Sequence, residues 1–179
     1  MKNIFLISGF AQHGKDTTAK FIQKHIDGRT LILHNADYLK YICKEYLNWN
    51  GNKDIEGRTL LQILGTQRVR LELNKPLFWI EKTCDVIEIL QRDYDYFCVP
   101  DTRYINEIHY PKAKFPNKIF SIRINRTNFE NNLTEEQRNH ISETELEHYR
   151  HDIELSFEEG LDLMEEKIIR FLEMNFWKS

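Results

Sequence analysis

The stretch Ile4-Phe5-Leu6-Ile7-Ser8-Gly9-Phe10-Ala11-Gln12-His13-Gly14-Lys15-Asp16-Thr17-Thr18 decides the fold. An apolar run of strand type enters a loop bounded by Gly9 and Gly14, and a helix-like stretch follows at once. Strand, loop and helix in that order are what a phosphate-binding loop requires. The glycines let the backbone curl, so that successive N–H groups of Gly9, Gln12, His13 and Gly14 can point at phosphate oxygens. The helix start adds partial positive charge, and Lys15 has the reach for β- and γ-phosphates. A Ser or Thr ordinarily follows that lysine; here Asp16 stands in its place, with Thr17 and Thr18 behind it. The competing reading is a glycine-rich turn that binds nothing, and the agreement of spacing, strand and helix goes against it.

Outward from this loop, apolar runs alternate with helical patterns, which predicts an α/β fold with a mainly parallel sheet. Strands are expected at Lys2–Ile7, Leu31–Leu33, Tyr96–Val99, Ile119–Ile124 and near Ile153, giving five strands in a three-layer α/β/α arrangement. Helices are expected at Asp16–His25, Ala36–Leu47, Thr59–Leu73, Leu77–Leu90 and Phe157–Phe176. In the last of these, Leu161, Met164, Ile168, Phe171 and Leu172 form one core-facing stripe. Residues 126–150 read as a polar, charged stretch.

The 179 residues favour one domain with a real core. A formal net charge of −3 gives no global attraction to nucleic acid or to an anionic membrane, so any phosphate-binding charge must be local. Cys43, Cys84 and Cys98 form no CxxC pair and read as reduced thiols of a cytoplasmic protein. The first apolar run is too short for a signal peptide, and no stretch has the length of a bilayer span. The histidines are scattered, without structural zinc spacing.

A second motif, Val99-Pro100-Asp101-Thr102-Arg103, closes the Tyr96–Val99 strand. Ligands of open α/β sheets lie beyond the carboxyl ends of strands, so Asp101 and Arg103 should emerge on the edge that carries the loop. Asp101 could hold Mg²⁺ through water with help from Asp16; equally, Asp16 could be a helix cap and Asp101 a turn former. Of Arg58, Arg68, Arg70, Arg103, Arg126 and Arg138, the ones expected to act on phosphates are Arg70, Arg103 and Arg126.

Four motifs in order along the chain resemble the deoxynucleoside monophosphate kinases of bacteriophages, within the P-loop nucleoside monophosphate kinases. They are Gly14-Lys15-Asp16-Thr17; Leu60-Leu61-Gln62-Ile63-Leu64-Gly65-Thr66 with Arg70 and Phe78-Trp79; Val99-Pro100-Asp101-Thr102-Arg103; and His140-Ile141-Ser142-Glu143. The Asp after the loop lysine is usual in that family. The resemblance implies transfer of the γ-phosphoryl of ATP to a deoxynucleoside monophosphate with Mg²⁺, without nucleic acid or membrane partners, in the host cytoplasm if the chain is phage-encoded. It implies that Lys15, Arg70, Arg103 and Arg126 serve catalysis and that Asp37, Lys40, Gln62, Thr66, Trp79 and Asp101 lie near the acceptor. His140 and Glu143 would sit in a mobile lid over residues 126–150, where His140 either meets a phosphate or caps a turn and Ser142 resembles a helix cap. A core of 1–35, 94–125 and 151–179 and an acceptor-binding region of 36–92 complete the division. A small-metabolite kinase of the same fold, such as one acting on phosphomevalonate, and a non-catalytic nucleotide-binding module stay open, as do base preference and a homodimer.

Overall fold

Alternation along the first strand builds both halves of the core. The computed structural model describes residues 1–129, 131, 133–158 and 160–176, and the elements run β1 (Asn3–Ser8), α1 (Lys15–His25), β2 (Thr30–Ile32), α2 (Asp37–Leu47) and α3 (Ile55–Gln62). A π-helical segment (Ile63–Glu72) continues α3, followed by α4 (Phe78–Leu90), β3 (Tyr96–Val99), α5 (Asn106–Lys114) and β4 (Ile119–Arg126). The last elements are α6 (Glu135–Asn139), α7 (Ile141–Thr144), β5 (Ile153–Phe157) and α8 (Leu161–Asn175). Side chains of a strand alternate between faces. Accordingly Ile4 and Leu6 pack with Ile80, Cys84 and Ile87 of α4 and Ile108 of α5, while Phe5 and Ile7 pack with Ile22 of α1 and Met164 and Ile168 of α8. Each such fully buried side chain contributes about 1.5–3 kcal/mol, so β1 anchors both layers.

The five strands are parallel in the order β2-β3-β1-β4-β5, with Phe5 opposite Cys98 on one side and Phe120 on the other. The chain leaves β1 towards β2 on one edge and later returns to β4 on the other side of β1. Loops from both halves therefore diverge at the carboxyl end of β1, where a crevice forms in open α/β sheets. A third cluster (Leu39, Cys43 and Trp79) joins α2 and α4 beside that crevice.

Several expectations need correction. The helix expected at Thr59–Leu73 begins at Ile55, because the Asp54 carboxylate accepts from Gly57 N–H at 2.8 Å, and it widens into the π-helical segment after Gln62. The C-terminal helix starts at Leu161, not Phe157: Phe157 ends β5, and Gly160 at φ 121° breaks the path between them. Leu161 is exposed and leaves the stripe, which Met164, Ile168, Phe171 and Leu172 form. Helix α5 was not anticipated, since Pro111 inside it reads as a breaker. The expected polar stretch contains two short helices, α6 capped by a Thr134–Gln137 capping box and α7. Residues 130 and 132 of the expected lid and 159 and 177–179 of the expected core lie outside the described residues.

Candidate active site

The loop between β1 and α1 takes the conformation its glycines permit. Gly14 has φ 89°, and Gly9 has φ 149° with its Cα so close to β4 that a Cβ would lie 2.5 Å from the Ile124 carbonyl oxygen. Lys15 Nζ folds back over the loop and donates to the Gly9 and Phe10 carbonyls, each at 2.8 Å. Burial first, and the Arg103 guanidinium second, pull the Lys15 ammonium down to about 7. A phosphate arriving there would restore its charge.

Lys15 opens on a cleft of about 360 Å³, a size suited to a small-molecule ligand. Its lining brings together Ala11, Gln12, Asp16, Lys40, Gln62, Thr66, Arg70, Trp79, Asp101, Arg103 and Glu143. The loop lysine, the strand-end arginine and the π-helical arginine thus share one crevice, although Arg70 and Arg103 are far from Lys15 in sequence. Gly9, His13, Gly14, Thr17, Thr18, Asp37, Arg126 and His140 do not line it.

Arg70 is held on three sides. Its Nη1 donates to the Pro76 carbonyl at 2.6 Å, its Nη2 pairs with Glu107 at 2.5 Å, and its guanidinium lies 3.9 Å from the Tyr104 ring centroid. Tyr104 in turn shares a 2.6 Å hydrogen bond with Thr66. The other Glu107 oxygen accepts from the Arg103 and Tyr104 N–H groups. One buried carboxylate thereby sets both the Arg70 side chain and the turn that carries Arg103. Burial raises the Glu107 carboxyl, and Arg70 opposes that rise.

Arg103 donates to the Ser142 carbonyl at 3.1 Å and pairs with one Glu143 oxygen, while the other Glu143 oxygen accepts from the Ala11 N–H at 3.0 Å. A carboxylate from α7 therefore rests between a loop amide and a guanidinium, the partners that a phosphate oxygen would seek. Trp79 is buried with its Nε1 donating to the Gly65 carbonyl at 2.9 Å, so it presents only ring surface to the cleft.

Asp101 accepts from the Asn35 N–H at 2.8 Å and the Ala36 N–H at 3.0 Å. It ties the end of β3 to the entry of α2 and does more than shape its own turn. Asp16 is not a helix cap: Gly14 occupies that position, and the Asp16 carboxylate bonds His34 Nε2 at 2.7 Å. Hydrogen bonds to Asp16 and then Asp37 raise the His34 imidazole to about 9. Asp37 also accepts from the His34 N–H and pairs with Lys40. His140 caps α7 by accepting from the Ser142 N–H at 3.2 Å, which makes His140, not Ser142, the cap. The Thr18 hydroxyl bonds back to the Gly14 carbonyl. His13 Nδ1 accepts from the Arg126 N–H at 3.0 Å, and burial lowers its imidazole to about 4; the Arg126 guanidinium lies 4.0 Å from the Phe129 ring centroid.

The sequence reading missed His34, Asn35, Lys53, Tyr104 and Glu107, all of which line the cleft. Glu107 had only a local signal, an acidic residue placed to accept from main-chain N–H groups at a helix start. No group of three or more His, Cys, Asp or Glu among the described residues could hold a metal ion by itself. Among them no helix is long and apolar enough to cross a membrane.

The sequence model of the deoxynucleotide monophosphate kinase family matches residues 30–168. The phosphate loop precedes that match and stands on its own geometry. No curated protein sequence matches the chain. Among solved structures, a mutant of the Mycobacterium tuberculosis APS kinase CysC is 13% identical with a TM-score of 0.51, covering 96% of this chain and 97% of its own. A sugar kinase from a Janibacter species is 9% identical with a TM-score of 0.55, covering 97% and 94%. At such identities the likeness concerns the fold.

Proposed function

Because the chain belongs to the deoxynucleotide monophosphate kinase family, its reaction is phosphoryl transfer from ATP to a deoxynucleoside monophosphate, and we propose the following roles for its residues. The observation that carries them is the single cleft shared by Lys15, Arg70 and Arg103. The amides of the loop and the Lys15 ammonium hold the β- and γ-phosphates of ATP. Arg103, reaching in from the end of β3, grips the acceptor's phosphate, and Arg70 forms a fixed cationic wall behind it. An oxygen of the acceptor phosphate attacks the γ-phosphorus and the bond to the β–γ bridging oxygen breaks, giving dNDP and ADP. That oxygen is already a competent nucleophile, so positioning and charge stabilisation carry the rate without a general base.

Trp79, Leu39 and Leu61 give the cleft an apolar wall suited to a nucleoside. Arg126 and Phe129 serve the ATP side, where His13 ties the loop to the end of β4. Segment 133–146 acts as the lid, with Glu143 yielding its place to phosphate as substrates bind and water is excluded. Asp16 and Asp101 both line the cleft and would hold Mg²⁺ through its waters, since the Asp101 oxygens already accept from main-chain N–H groups and Asp16 from His34. Mg²⁺ characteristically combines one or two carboxylates with waters and substrate phosphates. When bound it would neutralise phosphate charge. The three buried thiols carry no disulfide, which supports a reducing setting such as the cytoplasm.

An initial-rate survey of the dNMPs and NMPs with ATP, with and without Mg²⁺, tests this reading. Release of ADP that depends on a dNMP is the expected result. Tight ATP binding without transfer to any dNMP would instead favour a regulatory nucleotide-binding module.

A further inference from the structure

Asn35 stands between β2 and α2, lines the cleft and is only 4% exposed, yet neither its side-chain nitrogen nor its side-chain oxygen has a hydrogen-bond partner. Its main-chain N–H is already committed to Asp101. Asp101 holds the main-chain N–H groups of both this residue and Ala36, so the backbone that carries the amide is fixed while the buried amide itself has no protein partner. A buried amide without partners costs stability. Such groups are met by ordered water, an ion or a ligand group, and a place on the cleft wall favours the ligand.

We propose that Asn35 reads the Watson–Crick edge of the acceptor's base. This rests on the kinase reading above and deepens it. The acceptor's phosphate is anionic and has Arg103 and Arg70 to meet it; a neutral amide adds little there. What remains neutral and polar on a dNMP is the base edge and the 3′-hydroxyl. A single hydroxyl cannot fully satisfy an adjacent donor and acceptor together, whereas every nucleobase sets an N–H beside an acceptor on its pairing edge. Asn35 is followed by Ala36 and Leu39, which with Trp79 provide the apolar surface that a flat base needs.

The missing partners have a second consequence. An amide locked by a protein hydrogen bond presents its donor and acceptor in one order and selects among bases. The Asn35 amide is locked by nothing, so a half-turn about its terminal torsion offers the opposite order. Asn35 is thus a permissive reader, rewarding the presence of a base more than its identity.

The test is the dissociation constant of each dNMP, and of deoxyribose 5-phosphate, which has no base, measured calorimetrically for the wild type, Asn35→Leu and Asn35→Asp. Asn35→Leu should weaken every accepted dNMP by roughly 5- to 150-fold, the range of a bidentate amide–base contact, and leave deoxyribose 5-phosphate unchanged. Its melting temperature should hold or rise, since an unpaired buried amide has gone. Asn35→Asp, which stays polar and so guards against a folding failure, offers acceptors alone and should shift preference towards dGMP, whose edge carries two adjacent N–H donors. Equal losses on deoxyribose 5-phosphate would overturn the proposal. So would losses that vanish with 2′,3′-dideoxy acceptors, which would assign Asn35 to the sugar hydroxyl. Failure of the wild type to turn over any dNMP would sink the kinase reading instead, while the binding ratios would still judge Asn35.

Discussion

Replacing Glu143 with Gln separates a stand-in for phosphate from a permanent strut. The Glu143 side chain is 6% exposed, and its carboxylate accepts from the Ala11 N–H at 3.0 Å and from Arg103. Glutamine keeps one carbonyl acceptor but loses the charge that pairs with Arg103. Hydrogen bonds to charged groups contribute about 1.5–3 kcal/mol each. Arg103 is itself 25% exposed, so solvent screening argues for the lower end, about 1.5 kcal/mol. In a protein of this size that lowers the melting temperature by roughly 3–6 °C. The same interaction must be surrendered by the wild type when an ATP phosphate claims the Ala11 N–H, and the variant no longer surrenders it. Glu143→Gln should therefore bind a non-hydrolysable ATP analogue about tenfold more tightly while melting earlier. Calorimetric titration beside a thermal melt gives both numbers. A variant that melts earlier and binds the analogue no better, or worse, would show that Glu143 belongs to the occupied site.

Lys15→Ala should lower turnover in a coupled ADP-release assay by at least about a hundredfold, as loss of one preorganised transition-state donor does, with an unchanged circular dichroism spectrum; near-normal turnover would remove Lys15 from the mechanism. Arg70→Met leaves the Glu107 carboxylate buried without its cation and should destabilise the fold by about 3–5 kcal/mol in urea titration, so an unaltered midpoint would mean that Glu107 finds its charge partner elsewhere. His151 is buried against the Ser8 hydroxyl at 3.2 Å, and burial first, then Arg123, depress its imidazole from 6.5 to about 4. The unfolded chain takes up that proton first, so stability is lost as pH falls from about 6.5 to about 4 and is level below both values. His151→Asn should flatten part of this slope in urea midpoints taken across that window; parallel profiles would contradict the assignment.

The β1–loop–α1 unit was legible because every signal in it is local: an apolar run, two glycines and a lysine at fixed spacing. Lys15 and Arg103 could be placed on one edge from strand polarity alone, and the structure puts both on one cleft. What escaped the sequence depends on contacts between distant residues. Asp101 looked like a ligand or a turn former, yet it grips main-chain N–H groups at Asn35 and Ala36 that no spacing rule connects to it. His34 and Asn35 carry no motif and matter only because β2 lies beside β3. Pro111 concealed α5. The π-helical winding was invisible because its apolar residues continue the pattern of an ordinary helix.

That winding sets the register of the acceptor side. Between Ile63 and Glu72 the backbone accommodates more residues per turn than an α-helix would. Were the segment to tighten to α-helical geometry without losing a residue, everything after the first tightened turn would rotate by about 100°. Arg70 would swing off Tyr104 and Glu107, and a guanidinium meant for the crevice would face solvent. The extra residue that the wide winding takes up is therefore what keeps the Arg70 side chain turned into the cleft.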